Sequence, residues 1–229
     1  MRVRPEEFLL SRLSREDADA VRAAGEEKPF AAGAELITPG VSRRELVVIE
    51  HGFVKVARRH GEREVVLSVH GPGELMGEIA LLDRRDHAAS VTALTAGSAL
   101  HLMAPAFWGL LSELPHLNRS IIGTVTTRLR DAGNQRGEQL AATAIVRVAG
   151  RIMWLAERFG VATEDAVRID IPLTQAELSS WAGVSRETGV RALRQLRDAG
   201  WIRLERRRIL VTDTAAVHRF VAADVAAPI

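Results

Sequence analysis

The chain has no cysteine. That absence removes disulfides, cysteine-ligated iron–sulfur clusters and thiol catalysis together. No apolar run comes near the roughly 18 residues needed to span a bilayer. The opening Met1-Arg2-Val3-Arg4-Pro5 has no apolar stretch of the kind found in a secretory leader. A soluble, cytoplasmic protein with no membrane partner is expected. There is no nucleotide-cradling P-loop, and Gly71-Pro72-Gly73 reads as a turn rather than a phosphate-binding loop before a helix. No His, Asp and Glu cluster has metal-ligand spacing, and the paired acids Glu26-Glu27 and Glu164-Asp165 read as solvated loops. No catalytic residue and no metal site are expected, and an enzyme is not the reading. Lysine is nearly missing too, at Lys28 and Lys55 only. Positive charge is therefore arginine, whose planar fork suits bidentate contacts to phosphate and guanine.

What is present is enough for a real core. Of 229 residues, 47% are hydrophobic and 26% charged, which fits one large or two modest domains. The net charge of +2 is uninformative, but its distribution is not. Between Trp181 and Leu210 lie Arg186, Arg191, Arg194, Arg197, Arg203, Arg206, Arg207 and Arg208, against Glu187, Asp198 and Glu205.

Residues 8–24 read as a short helix, with Ser14 as N-cap, Asp17 three residues on and Gly25 as the stop. From Pro29 to about Leu102 the pattern is of short apolar runs (Glu35–Ile37, Leu46–Ile49, Phe53–Ala57, Val65–Val69, Ser90–Leu94, Ser98–Leu102). Turn signals separate them at Gly33, Pro39-Gly40, His51-Gly52, His60-Gly61, Gly71-Pro72-Gly73 and Ala96-Gly97. Many short strands at even spacing predict an antiparallel sandwich or small barrel. A short helix follows over Pro105–Leu114, then a long one from about His116 to Ala144. In it Leu117, Ile121, Val125, Leu129 and Ala132 recur every three or four residues, a stripe that can pair with a copy of itself or pack on the chain's own barrel. Gly133, Gly137 and Ala141 share one face. Each glycine costs about 1 kcal/mol in a helix interior, which calls for close helix approach, a kink or room for a ligand. Another amphipathic helix covers Ala144–Phe159.

The sharpest local signal starts at Thr174. Thr174-Gln175-Ala176-Glu177 has the form of a capping box, opening a short helix through Ala182. Gly183-Val184 turns the chain, Ser185 caps a second helix to about Ala199, and Gly200 ends it. This is a helix-turn-helix, with Ala176, Leu178, Val184, Val190, Leu193 and Leu196 as its expected core. The first turns of such a second helix enter the major groove. Arg186, Glu187 and Arg191 stand there. Arginine can donate twice to guanine, and glutamate can accept from cytosine N4. Glu187 and Arg191, four apart, share a face. A hairpin over Trp201–Val211 with a basic tip around Arg207 reads as a wing that would contact phosphate.

The segment Gly183-Val184-Ser185-Arg186-Glu187-Thr188-Gly189-Val190-Arg191 resembles the recognition helix of the cyclic-AMP receptor protein and FNR-type regulator family. His51–Val56 resembles a strand of that family's barrel. Gly71–Leu82, with Gly77-Glu78-Ile79, resembles its phosphate-binding cassette. The resemblance implies an α+β chain: an N-terminal antiparallel β-barrel (a jelly-roll of the cyclic-nucleotide-binding kind) over 1–115, a dimerisation helix over 116–144 and a winged helix-turn-helix over 145–229. It implies a homodimer on double-stranded DNA at a palindrome of TGTGA-type half-sites, with RNA polymerase as a further partner. Arg186, Glu187 and Arg191 would read bases, and Thr174, Ser185, Thr188 and Arg207 would also touch DNA. For an effector it implies Gly77, Glu78, Ile79, His87, Ala88, Ala132 and Gly133. There the chain departs from the family. His87 and Ala88 stand where an Arg-Ser pair holds a cyclic phosphate, and Ala132-Gly133 stand where hydroxyls cap the base. The effector is therefore unknown: a cyclic nucleotide held weakly, another small molecule, or none. Haem is a further option, with His51, His60, His70, His87, His101 and His116 as candidate ligands. A rival reading is a cyclic-nucleotide-responsive regulatory or scaffold protein that does not read DNA.

Overall fold

The computed structural model describes Leu9, residues 13–41 and residues 44–225. The reading of Met1–Pro5 and the start of the helix expected from Phe8 lie outside them. The described chain falls into two compact units, one ending at Arg130 and the other beginning at Asp131.

In the first unit, α1 (Arg15–Ala24) opens as expected, with Ser14 Oγ accepting from the Asp17 amide at 3.0 Å. Gly25 ends it for another reason than a left-handed stop. Its φ is −107°, and a Cβ there would lie 2.6 Å from Leu100. Eight strands follow: β1 (Glu26–Phe30), β2 (Glu35–Ile37), β3 (Glu45–His51), β4 (Val54–His60), β5 (Arg63–His70), β6 (Leu75–Met76), β7 (Ser90–Ala93) and β8 (Gly97–Met103). They form two four-stranded antiparallel sheets, β1-β8-β3-β6 and β2-β7-β4-β5. The barrel is not closed; it is an open sandwich. Glu26 and Glu27, expected in a loop, lie in edge strand β1, opposite His101 and Leu100.

Period-2 alternation builds two cores from one sheet. Val47, Ile49, Met76 and Ala99 face Ile37, Val54 and Val91 of the other sheet. Their neighbours Leu46, Val48, Leu75, Leu100 and Leu102 turn the other way, onto Val21 of α1, Leu81, Phe107, Leu110, Leu117 and Ile121. Those last residues come from α2 (Glu78–Asp83), α3 (Ala104–Glu113) and α4 (Pro115–Ala141). Leu117, Ile121 and Val125 of the expected stripe therefore pack on the chain's own sheet.

In the second unit, α5 (Ala144–Phe159) is the hub and packs on α6 (Gln175–Trp181), α7 (Arg186–Asp198) and α8 (Thr214–Val225). A sheet of order β11-β12-β10-β9 completes it, from β9 (Val161–Ala162), β10 (Val167–Ile169), β11 (Ile202–Glu205) and β12 (Arg208–Val211). The wing is thus half of a four-stranded sheet rather than a free hairpin.

Candidate nucleic-acid interface and effector cassette

The helix-turn-helix is set by its caps. Thr174 Oγ1 accepts from the Glu177 amide at 3.1 Å, while the Thr174 amide donates to Glu177 Oε2 at 2.8 Å, so the capping box is complete. At the turn, Gly183 has φ +65°. Its N–H donates to Ser180 O and the next N–H, of Val184, donates to Ser179 O, both at 3.0 Å. This paired Schellman closure requires the left-handed glycine. Ser185 then caps α7, its Oγ accepting from the Thr188 amide at 3.2 Å. Gly200 closes α7 by the same motif, with Gly200 N–H to Arg197 O at 2.9 Å and Trp201 N–H to Leu196 O at 3.1 Å.

The core between α6 and α7 differs from the expected set. Ala176 is exposed, and Val184 and Val190 are only half-buried. Leu178, Leu193 and Leu196 are buried as expected, and Ser179, Trp181, Ala182, Gly189 and Ala192 are buried with them. Gly189 is the close-approach residue, because a Cβ there would lie 1.9 Å from Ser179 Oγ. Gly189→Ala is expected to destabilise the second unit by about 1–3 kcal/mol through overpacking. A thermal melt unchanged from the parent protein would contradict that packing.

This architecture leaves Arg186, Glu187 and Arg191 exposed on the first turns of α7, with Ser185 exposed and Thr188 half-buried beside them. The basic surface is smaller than the arginine count suggested. Arg203 is paired with Asp165, Arg208 with Asp170 at 2.9 Å, and Arg197 with Asp198 at 2.8 Å. At the wing tip, between the paired Glu205 and Arg208, Arg206 and Arg207 are exposed. Arg207 holds φ +64°, a left-handed conformation that costs a non-glycine residue on the order of 1 kcal/mol or more.

The cassette residues part company. Gly77 (φ +88°) caps α2, and a Cβ on it would lie 2.5 Å from Glu45 O and 3.0 Å from His87 Cε1. Gly77, Glu78 and His87 are thus brought together. Ile79 and Ala88 are exposed, and the Ala88 carbonyl accepts from Arg58 Nε at 3.0 Å. Ala132 and Gly133 are exposed on α4, and a Cβ at Gly133 or Gly137 would meet nothing within 4 Å.

Sequence reasoning missed the partner of Glu78. Glu78 is 1% exposed, and Arg128 of α4 donates to its Oε1 from one guanidinium nitrogen and to the Leu75 carbonyl from another. Met76 Sδ lies 4.0 Å from the same guanidinium. A buried carboxylate needs such a partner. No local signal could have shown it, since the two residues are fifty positions apart.

Where the family resemblance places a guanidinium and a hydroxyl for a cyclic phosphate, this chain has His87 and Ala88, and the guanidinium next to that loop is Arg58, on the Ala88 carbonyl. The buried His87 ring lines a pocket of about 200 Å³ with Glu35, Glu45, Leu36, Ile37, Thr38 and Val41. The six histidines named as haem ligands are dispersed, with His70 on Glu74 and His101 on Glu45, each at 3.0 Å. Among the described residues no three His, Asp or Glu side chains form a metal-holding group, and no helix is long and apolar enough to cross a membrane.

An antiparallel sandwich with a Gly-Glu cassette, a long helix and a winged helix-turn-helix defines a DNA-binding transcription regulator. Residues 27–113 match the cyclic nucleotide-binding domain, and residues 146–220 the Crp-like helix-turn-helix domain. The CRP-like cAMP-activated global transcriptional regulator of Mycobacterium tuberculosis is 30% identical over 191 residues, 83% of this chain and 85% of that one. The cyclic AMP receptor protein of Thermus thermophilus is 29% identical over 197 residues, 86% and 88% of the two chains. In fold, the c-di-GMP responsive global regulator CLP of Xanthomonas campestris matches with a TM-score of 0.76 at 17% identity, over 87% of this chain and all of that one. The chain belongs to the cyclic-AMP receptor protein and FNR-type family of transcription regulators.

Proposed function

We propose that the protein is a homodimer that reads a palindrome of two TGTGA-type half-sites, each protomer placing the first turns of α7 in a major groove. Arg186 and Arg191 donate to guanine edges, and Glu187 accepts from cytosine N4. Thr174, Ser185, Thr188 and Arg207 hold the sugar–phosphate backbone and fix the register. The observation that carries this is the exposed Arg186-Glu187-Arg191 surface on a capped helix. A carboxylate inside a basic surface weakens phosphate attraction and is accounted for by base reading. Dimerisation is supported by α4. Ile122, Thr126, Leu129, Gly133, Arg136 and Leu140 alternate at spacings of four and three, the coiled-coil repeat, and all are exposed. Gly133 and Gly137 leave room for a second helix to come close. The bound dimer acts on transcription through RNA polymerase in the cytoplasm, with no catalytic step of its own.

The test is Glu187→Ala on matched and scrambled palindromes at one salt concentration. Discrimination between the two is expected to fall by about 1–3 kcal/mol per half-site, with binding to the scrambled duplex equal or tighter because a negative charge has gone. Equal weakening on both duplexes would make Glu187 a structural residue. A strictly monomeric protein in sedimentation would remove the palindrome.

A further inference from the structure

We propose that Val190 reads the central thymine of each half-site through that base's C5 methyl group, an apolar contact added to the three polar ones. This rests on the base-reading assignment above, because Arg186 and Arg191 decide which base pair Val190 meets.

The starting observation is an aliphatic side chain, half-buried rather than buried, among charged neighbours on the first turns of α7. Gly189 sets the rotation of that helix. It is buried, and a Cβ on it would lie 1.9 Å from Ser179 Oγ of α6. Ala192, Leu193 and Leu196 are buried with it. One residue advances an α-helix by about 100°, which carries Val190 out of the α6–α7 joint. Its neighbours three and four positions back are Glu187 and Arg186, and four positions on is Arg194. All three are exposed.

Valine has no donor or acceptor, so hydrogen bonding is not open to it. What a base offers an aliphatic group in the major groove is the methyl of thymine. The β-branch holds valine in one rotamer within a helix, so its open methyl stands in a set position and loses little freedom on contact. In TGTGA the two guanines flank one thymine. With Arg186 on one guanine and Arg191 on the other, the residue between them on the helix falls to the T·A pair between them on the duplex. A thymine–guanine step also bends easily and can be selected without being touched. Uracil separates the two causes: it pairs as thymine does and keeps a pyrimidine–purine step, but it lacks the methyl.

The full chain and its Val190→Ala variant are titrated by anisotropy at one salt concentration against three labelled duplexes. These are the TGTGA-type palindrome, the same palindrome with uracil for the central thymine of both half-sites, and a scrambled duplex. The parent protein is expected to favour thymine over uracil by about threefold to fivefold per half-site, or about tenfold to twenty-fivefold for the palindrome, the effect of burying one methyl group. Val190→Ala should lose most of that preference and bind the uracil duplex within about twofold of the parent, because the lost methyl has no partner there. Should alanine fail to fold, Val190→Thr takes its place, with the same shape and one methyl exchanged for a hydroxyl. A reduced thymine preference is then expected, and an undiminished one is contrary. A parent protein that rejects the scrambled duplex but binds thymine and uracil palindromes equally overturns the proposal. So does a Val190→Ala protein that keeps the full thymine preference, which would place the selection in DNA shape. Equal binding of all three duplexes instead sinks the base-reading assignment, and the proposal with it.

Discussion

Alanine at Arg191 is expected to cut affinity for the proposed palindrome by about 2–6 kcal/mol, because a bidentate arginine–guanine contact discriminates by roughly 1–3 kcal/mol and the proposed homodimer would make it twice. That is a drop of about thirtyfold to more than ten-thousandfold. Binding to the scrambled duplex should weaken only by what one exposed positive charge contributes, and its salt slope should fall by about one for each phosphate that the arginine neutralises. Arg191→Lys is the sharper variant. It keeps the charge but not the planar fork, so it should lose discrimination nearly as much as alanine while holding non-specific affinity. Titrations of both duplexes at one ionic strength measure this. A lysine variant with parental discrimination would show that Arg191 acts only as a point charge.

The second large effect falls on stability. Burial pushes the Arg151 guanidinium below its usual value, and the charge and hydrogen bond of Glu138 pull it part of the way back. For a base with a depressed folded pKa, the burial penalty is present throughout neutral pH and is relieved only as pH rises through that pKa. Glu138 thus reduces a cost that is always felt. Glu138→Ala leaves a guanidinium that is 6% exposed, with no partner for Nε and with the Trp181 ring at 5.4 Å and the charge of Asp131 in compensation. Breaking a fully buried pair costs about 3–5 kcal/mol. Glu138 keeps 42% of its side chain exposed, so about 2–3 kcal/mol is expected, read as a lowered unfolding midpoint in urea at unchanged m-value. The double variant Arg151→Met with Glu138→Leu should stand within about 1 kcal/mol of the parent, since apolar replacement of a buried pair is often neutral. A double variant as unstable as Glu138→Ala would mean that the pair is not what holds this joint.

What the sequence revealed, and what it hid, follows the range of the interactions. The helix-turn-helix was legible to within a residue, because Thr174 with Glu177, Gly183, Ser185 and Gly200 act over three to five positions. The strands and their antiparallel class were legible, but the choice between a sandwich and a closed barrel was not, because closure is decided by pairing between distant segments. Strand β1, Glu-Glu-Lys-Pro-Phe, was missed because an edge strand buries little and shows no apolar alternation. Helix α8 was missed although Asp213 gave a usable signal: its Oδ1 accepts from the Ala216 amide at 2.8 Å. The long-helix stripe was read correctly as a repeat and then divided by the structure. Leu117, Ile121 and Val125 serve the chain's own core, whereas Leu129 is 73% exposed. In the cassette, Gly77, Glu78 and the departure at His87-Ala88 were legible. Arg128 was not, because nothing local marks a salt bridge across fifty positions.

Gly133 and Gly137 have a consequence for dosage. Two glycines weaken the end of a rod by about 1 kcal/mol each, and among the described residues a Cβ at either would meet nothing within 4 Å. In the proposed homodimer a second rod laid alongside would make up that deficit, and ordering of this stretch and pairing of two copies would become a single equilibrium. Occupancy of an operator would then climb more steeply than in proportion to the amount of protein made, and the rate of synthesis would itself act as an input to the switch.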